Sequence, residues 1–528
     1  MTRTEPIYSY QSCVAIVWLS AIVLISAWVF SSGPADDSYI VARYAHNLHA
    51  RLGPIFNVGE RINALTSPIQ LLVFYLLTFV LPDPVPGYQV IATIALIVST
   101  TTVAFARLGD TSMRVLFLAL ALASPFVTFW LVGGLETPVL YIGALFLVSL
   151  ILGDHADSRG RARTATIVGT LMVMTRYDAC LLAAPVIVPL IYRWRRDPGT
   201  VAVFILCAVV FASWLLFCKD YYGDFLPTSY YVKLSDVAIT REAARGLAYQ
   251  GSFLTLSLAV FAFPTTRKAL LRIAHDPPIF GAWVGVLLSL VYGIAAGTVH
   301  MMYAYRFFVP LIPVLFLLKF GIRGSADNTN TVTWNQVFAV LSLQSVLAFT
   351  MYWYSQNFNL SLLVRHQTPA NESFEFSTIG ARNTGRVLQV IRLQAANVIR
   401  DWNTLPEHSL RVPRINVEAG GLLPFLLPNA YVYEKLVSFR HYCKTSLNAG
   451  ADYQQVFRSQ SETEGLAPSA MGSWNLISSY PLKISGLYRS KGTLAIQLWH
   501  QAQPHPVILP STAGGHCAIN TGQSAIRE

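Results

Sequence analysis

The stretch Pro34-Ala35-Asp36-Asp37-Ser38-Tyr39-Ile40-Val41-Ala42-Arg43-Tyr44-Ala45-His46-Asn47-Leu48-His49 lies just past the first apolar segment of the chain. Two adjacent carboxylates open it. Ile40, Val41, Tyr44, Ala45 and Leu48 then recur at helical spacing, which predicts an amphipathic helix over 37–50. The plain reading of the pair is a helix start, where aspartate caps free N–H groups and suits the dipole. One aspartate suffices for that, and carboxylates beside a membrane span are costly without a use. The loop runs on through Gly53-Pro54-Ile55-Phe56-Asn57-Val58-Gly59-Glu60-Arg61 to Thr66-Ser67-Pro68, keeping acids, bases and amides together.

What surrounds this loop sets the class of protein. The chain has 528 residues, 54% hydrophobic and only 12% charged, against roughly a quarter charged in a soluble protein. It reads as a polytopic α-helical membrane protein. The net charge of +11 is spread thinly, with no basic run interleaved with aromatics, so nucleic acid is not an expected partner. Apolar runs lie near 12–32, 69–81, 88–106, 115–131, 138–153, 165–175, 179–192, 199–218, 250–263, 279–297, 305–320 and 333–354. The run 69–81 is shorter than the roughly 20 residues a span needs. With Pro68 and Pro82 around it, it is expected to lie on the membrane together with 37–50. Cys13 to Phe30 reads as a retained span, since it exceeds an ordinary signal-peptide core and only Arg3 precedes it as a base.

That leaves about eleven spans on the length criterion, with the N-terminus inside and the tail outside. Inner loops then carry Arg107 and Arg114; Arg159, Arg161 and Arg163; Arg193, Arg195 and Arg196; Arg267, Lys268 and Arg272; Lys319 and Arg323. Each is basic, as the positive-inside rule requires, and counting 69–81 as a span would move most of them outside. Residues 1–354 thus form a transmembrane domain with an outer loop over 33–87. Residues 355–528 form an extracytoplasmic soluble α/β domain, with a helix over Thr384–Trp402, a strand over Arg411–Val417 before Gly420-Gly421, and no structure expected over 510–528. Cys443 and Cys517 are the cysteines of that tail and allow one disulfide outside the cytoplasm; no Cys/His spacing suggests zinc.

In this topology the polar motifs gather on the outer side. They are Asp36-Asp37; Gly133-Gly134-Leu135-Glu136-Thr137-Pro138; Thr175-Arg176-Tyr177-Asp178; Tyr221-Tyr222-Gly223-Asp224 through Tyr230-Tyr231-Val232-Lys233; and Gly297 through His300 to Tyr305-Arg306-Phe307. The first of them, from Asp36-Asp37 through Arg43-Tyr44, Asn47-Leu48, Phe56-Asn57 and Gly59-Glu60-Arg61 to Thr66-Ser67-Pro68, resembles the first outer loop of bacterial GT-C glycosyltransferases. Arabinofuranosyltransferases of the mycobacterial terminal β-(1→2) type are the nearest in pattern. Gly134-Leu135-Glu136-Thr137, Thr175 to Asp178, Tyr222-Gly223-Asp224 with Pro227, and Arg306-Phe307 with Pro310 look like the family's later motifs, so the likeness covers most of 12–320. The tail matches less well: Gly421-Leu422-Leu423-Pro424 sits where a Gly-x-Ile-Pro turn followed by tyrosines is common, and Phe425 and Leu426 lack those hydroxyls. The acidic residue that often precedes the last-loop arginine is also missing, with His300 nearby.

The resemblance implies transfer of a sugar, arabinofuranose, another pentose or a hexose, from a polyprenyl-phosphate donor to a hydroxyl of an acceptor glycan or glycolipid. The setting it implies is the outer face of the bacterial plasma (inner) membrane, in the lipid bilayer. A sugar hydroxyl is a poor nucleophile, so a carboxylate must take its proton as the new bond forms. Family position favours Asp36 as that base, with Asp37 positioning the helix, holding a hydroxyl, or raising its neighbour's pKa by like-charge repulsion. The leaving lipid phosphate needs fixed donors, for which Arg306, Arg176, His300 and Lys233 are candidates; arginine best matches a bidentate phosphate contact. Arg43, Tyr44, Asn57, Glu60, Glu136, Tyr222, Asp224 and Tyr230 are the expected substrate-binding residues. A divalent cation is left open.

Each residue also has a plainer reading. Arg306 beside a span end would snorkel to the headgroups, Arg176 and Asp178 would pair structurally, and Glu136 would cap the helix that follows. The tyrosines of 221–231 would form an interfacial belt, and Lys233 would be a solvated loop lysine. Two other functions compete. A flippase for lipid-linked sugar would want ionisable residues near the midplane, and the runs 88–106, 115–131, 279–297 and 333–354 contain no Asp, Glu or Lys. A non-catalytic assembly factor on the same fold is the third reading. The topology is testable directly: a membrane-impermeant thiol reagent applied to intact cells should label Asp224→Cys and spare Arg195→Cys. Labelling of Arg195→Cys would invert the arrangement.

Overall fold

The computed structural model describes residues 10–31, 33–152, 158–235, 275–295, 305–320, 332–354, 381–405, 411–417, 420–434, 451–459, 474–483 and 493–501. The apolar run 250–263, His300, Cys443, Cys517 and 510–528 fall outside them. Among the described residues three helices are long and apolar enough to cross a membrane: α1 (Tyr10–Ser31), α4 (Pro84–Arg107) and α10 (Pro198–Tyr222). The starts of α4 and α10 share one device. Pro84 and Pro198 sit in the first turn, and the Asp83 and Asp197 side chains accept from the free N–H groups of Val85 and Thr200. Shorter apolar helices complete the bundle, α7 (Thr137–Ile151), α12 (Pro277–Ala295), α13 (Leu311–Phe320) and α14 (Trp334–Tyr354) among them.

The single span expected over 115–131 is instead two helices, α5 (Thr111–Ala121) and α6 (Pro125–Leu131), bent by 59°. Pro125 brings no N–H and forces Ser124 into an extended conformation, so the helix cannot run through. The Thr128 hydroxyl, 3.1 Å from both the Leu122 and Ser124 carbonyls, serves the acceptors left at the break. The two short runs that follow form a hairpin of α8 (Arg159–Thr175) and α9 (Cys180–Arg193). Its tip is the single 3-10 turn Tyr177–Ala179, which carries Arg176 and Asp178. At the other end of the hairpin Arg163 pairs with Asp197 at 2.8 Å, joining two of the basic connections.

α9 and α12 pack backbone against backbone. On α12, Gly281 and Gly285 lie one turn apart. A Cβ on Gly281 would fall 1.9 Å from the Pro185 carbonyl oxygen, and one on Gly285 would fall 2.9 Å from that of Leu182. This is the small-residue crossing by which membrane helices bring their backbones together.

The first loop contributes α2 (Asp37–His49) and α3 (Pro68–Leu77), both at the expected places. In the tail α15 (Ala381–Trp402) begins three residues before the expected Thr384, and the strand expected over 411–417 is the shorter β1 (Arg414–Asn416). Pro413 has no N–H to give the ladder, so it contributes only its carbonyl, to Tyr431 at 2.9 Å. The sheet has the order β2-β1-β3-β5-β4, with β2 (Tyr431–Tyr433), β3 (Tyr453–Ser459), β4 (Trp474–Lys483) and β5 (Thr493–Gln501). β1 runs parallel to β2 and β3, and the β3-β5-β4 side is antiparallel.

Among the described residues two hydrophobic cores result. One lies among the apolar helices and includes Phe129, Trp130, Tyr141 and Leu145. The other joins the first loop to the tail: Tyr39, Val41, Tyr44 and Phe56 pack with Val387, Ile391, Leu422 and Val432. The loop and the tail are therefore one packed body. The α9–α12 crossing gives a test of the bundle. Gly281→Leu should lower the melting temperature in detergent, since overpacking typically costs about 1–3 kcal/mol. Gly109→Ala, where a Cβ meets nothing within 4 Å, should leave it unchanged.

Candidate functional site

Asp36 precedes α2 but does not cap it. Its side chain makes no capping bond; instead Oδ2 accepts from the Gly421 N–H and Oδ1 from the Leu422 N–H, each at 2.8 Å. The helix-cap reading is thereby corrected: both oxygens are drawn away from the α2 amides by donors from the tail. Asp36 is 7% exposed, and burial, offset in part by these two bonds, pushes its carboxyl up to about 6. Asp37 beside it is half-buried, and among the described residues no hydrogen bond reaches its carboxylate.

The rest of the first-loop motif is also spent on holding chain together. Arg43 is buried; its Nε donates to the Phe56 carbonyl at 2.8 Å and its terminal nitrogens reach the carbonyls of Pro424, Leu427 (3.3 Å) and Ala430 (2.7 Å). Asn57 acts as a surrogate strand: Nδ2 donates to the Val432 carbonyl at 2.8 Å and Oδ1 accepts from the Val432 N–H at 3.0 Å. Its Nδ2 also reaches Glu60 Oε2 at 2.9 Å. The buried Tyr44 hydroxyl donates to the Ile62 carbonyl at 2.5 Å and accepts from Ala64 at 3.1 Å. Arg43, Tyr44 and Asn57, expected to bind substrate, have their polar groups engaged with protein because the loop closes on the tail, and Glu60, expected to do the same, accepts from Asn57.

A second cluster is tied to the Asp36 segment through the Gly133–Glu136 turn. The Ala35 N–H donates to the Gly133 carbonyl at 2.8 Å, and Gln70 Nε2 donates to the Gly134 carbonyl at 2.7 Å. Gly134 has φ +75°, and a Cβ there would lie 3.2 Å from Ser38 Cβ, so glycine alone suits the turn. Glu136 at its end is buried and makes no cap. Its Oε1 instead accepts from Arg306 at 2.8 Å and Arg176 at 3.0 Å. Arg176 also forms a two-bond pair with Asp178, at 2.9 and 3.0 Å. Burial alone would raise the Glu136 carboxyl, but Arg306 and Arg176 hold it below the ordinary value. Arg306 does not snorkel; its side chain is 12% exposed and lies over Trp130 with 5.3 Å to the ring centre, as Arg176 lies 4.0 Å from that of Phe307. The Nε of Arg306 is buried without a hydrogen-bond partner.

Arg176, Asp178 and Arg306 line a small, partly open cavity of about 40 Å³, bordered also by Thr137, Ser289 and Tyr292. Nothing in the sequence singled out Tyr292, Ser289 or Trp130, since each lies within an apolar run and reads as span. Tyr222 is buried and donates to the Pro54 carbonyl at 2.7 Å, while Arg61 lies over the Tyr221 ring, so this part of the tyrosine run packs on the first loop instead of forming a belt. Asp224 is half-buried and Tyr230 exposed, at the start of α11 (Thr228–Ser235), which also carries Lys233 in its backbone. Among the described residues no three His, Cys, Asp or Glu side chains converge as metal ligands.

No family model matches the chain. A terminal β-(1→2)-arabinofuranosyltransferase of Mycobacterium tuberculosis is 25% identical over 261 residues, and the match spans 45% of this chain and 41% of that relative. Among solved structures, ArnT from Cupriavidus metallidurans bound to undecaprenyl phosphate superposes with a TM-score of 0.50 at 14% identity, covering 91% of this chain and 97% of that one. The same ArnT in its apo state gives 0.48. The chain thus has the ArnT fold and resembles the GT-C glycosyltransferases expected from its first loop.

The Glu136 cluster makes a stability prediction. Glu136→Gln leaves Arg176 and Arg306 without their shared counter-charge, and breaking a buried pair typically costs about 3–5 kcal/mol. The variant should melt well below wild type at neutral pH. Because the Glu136 carboxyl is held low, its contribution is present above the ordinary carboxylate range and fades as pH falls through the depressed value. The gap in melting temperature should therefore narrow in acid; a gap independent of pH would contradict the ionic role.

Proposed function

We propose that this protein is a membrane glycosyltransferase that moves a sugar, arabinofuranose or another pentose, from a polyprenyl-phosphate donor to a hydroxyl of a cell-envelope glycan or glycolipid. The single observation that carries the reading is that the turn Gly133–Glu136 ties together a carboxyl raised to about 6 and two largely shielded arginines lining a cavity. The likenesses to an arabinofuranosyltransferase and to ArnT support the reaction class. The arrangement fits a multi-pass bacterial inner-membrane protein of about eleven spans. The transmembrane unit is then 1–354, the tail 355–528 is extracytoplasmic, and chemistry takes place on that same side.

In the proposed step the acceptor oxygen bonds to the anomeric carbon as the bond from that carbon to the phosphate oxygen breaks. The lipid phosphate leaves with the electron pair, and the acceptor proton passes to Asp36. A base whose pKa lies near the working pH is well matched to such a transfer. Arg306, with its unpartnered Nε, and Arg176 would face the charge growing on the phosphate; Glu136 and Asp178 keep both guanidiniums in place beforehand. His300 and Lys233 remain candidate phosphate contacts, Asp37 with Asp224 and Tyr230 the candidate acceptor contacts.

The test uses purified protein and a synthetic polyprenyl-phosphate pentose. Asp36→Asn should reduce transfer by about 10²–10⁴-fold, the usual weight of a general base, while donor binding at the arginines persists. Wild-type kcat/KM should fall as pH drops below about 6, where Asp36 takes up its proton. Arg306→Lys should lose activity as well, since a point charge does not replace a planar fork. Full transfer by Asp36→Asn would exclude the mechanism.

A further inference from the structure

We infer that the tail segment Gly420–Tyr433 is part of the working site, and that the main-chain N–H groups of Gly421 and Leu422 are the positioning groups for the Asp36 carboxylate. This rests on the transferase reading above and adds to it the element that aims the base. The two bonds span 385 and 386 residues of sequence, so the carboxylate's orientation is set from outside its own loop. With one N–H on each oxygen at 2.8 Å, the plane of the carboxylate is set. Each oxygen keeps a second lone pair to receive a proton.

The contact is built for glycine. A Cβ on Gly421 would fall 1.9 Å from the Asp36 carbonyl oxygen and 2.6 Å from its carboxyl carbon, so only a hydrogen fits between the two chains. The segment is then clamped from the same loop that carries the base. Arg43 binds the carbonyls of Pro424, Leu427 and Ala430, Asn57 binds both main-chain groups of Val432, and Phe425 lies between Tyr39 and His46, with ring centres 5.2 and 5.1 Å away. A merely structural latch needs Arg43 and Asn57; it does not need a glycine pressed against the one carboxylate assigned to the chemistry. The titratable groups that act on or are coupled to Asp36 are Asp37 and Tyr39 on its own side; on the tail, Glu434 lies against the neighbouring Gly420. Lifting the segment away would remove the two N–H donors and also let water in, so Asp36 would return toward the ordinary carboxylate value.

The experiment compares full-length Gly421→Ala with wild type in detergent, by hydrogen exchange over 420–434 and by the pH profile of sugar transfer. We expect faster exchange across the segment, kcat lower by on the order of 10²-fold, as for a misplaced catalytic group, and an acid limb moved from about 6 toward about 4. Arg43→Met, which frees the segment without touching the Gly421 contact, should move the limb the same way and covers the case in which Gly421→Ala fails to fold. Faster exchange with an unchanged limb and unchanged kcat would make the segment packing only, and unchanged exchange would remove the contact itself; either overturns the proposal. If wild type transfers no sugar, the transferase reading fails. The infrared carboxylate band of Asp36, assigned with Asp36→Asn, then decides the positioning claim by whether its titration midpoint shifts in Gly421→Ala.

Discussion

A carboxylate taken out of water must find donors or give up its charge, and Asp36 finds them on a segment that lies far along the chain. Much of the rest of the structure follows from that need. For Gly421 and Leu422 to reach Asp36, the tail must come down on the first loop, and the loop must offer a surface that holds it. Arg43 supplies donors for three carbonyls that have no strand partner, Asn57 pairs with the middle residue of β2, and Tyr44 and Asn47 brace the loop from within. The apolar face of α2 and that of α15 then share one core. Burial raises the carboxyl and the amides lower it, and the balance at about 6 leaves a group that changes charge near neutrality.

The second constraint is electrostatic and belongs to the helical bundle. Two arginines from distant loops meet on one glutamate, with aromatic faces beneath both. Arginine keeps its charge even when desolvated, so the site needs counter-charges to exist before any anion arrives. Glu136 and Asp178 provide them, and an incoming phosphate would meet guanidiniums already aimed. The Gly133–Glu136 turn, bonded to Ala35 on one side and carrying Glu136 on the other, makes the two constraints a single frame.

The positions of α2, α3 and several apolar helices were legible in the sequence because hydropathy and prolines are local signals. The amphipathic period after Asp36 predicted α2, and Pro68 bounded α3. The break at Ser124-Pro125 was legible in principle, since Pro125 stands inside the run, but run length hides a bend. The site was only half legible. Asp36, Glu136, Arg176, Asp178 and Arg306 stood out as charges beside apolar segments, and the structure engages them all in buried contacts. The partners of Asp36 did not stand out. A main-chain N–H leaves no mark in a sequence, so Gly421 and Leu422 showed only as a glycine turn of a familiar shape. Arg43 and Asn57 carry side chains suited to a sugar, and residue type cannot tell that role from holding a carbonyl of the same protein, nor, for Glu60, from accepting an amide of its own loop. Trp130 and Tyr292 were concealed by the apolar runs that contain them.

In the proposed mechanism one frame holds the carboxylate on the tail amides and the two arginines toward a lipid phosphate. An electron cryomicroscopy structure of the full-length protein in nanodiscs with polyprenyl phosphate tests it most directly. The account predicts phosphate density within hydrogen-bond distance of Arg306 or Arg176, with the Gly421 and Leu422 amides on Asp36. Phosphate bound away from both arginines, or Asp36 turned from the tail in the bound state, would contradict it.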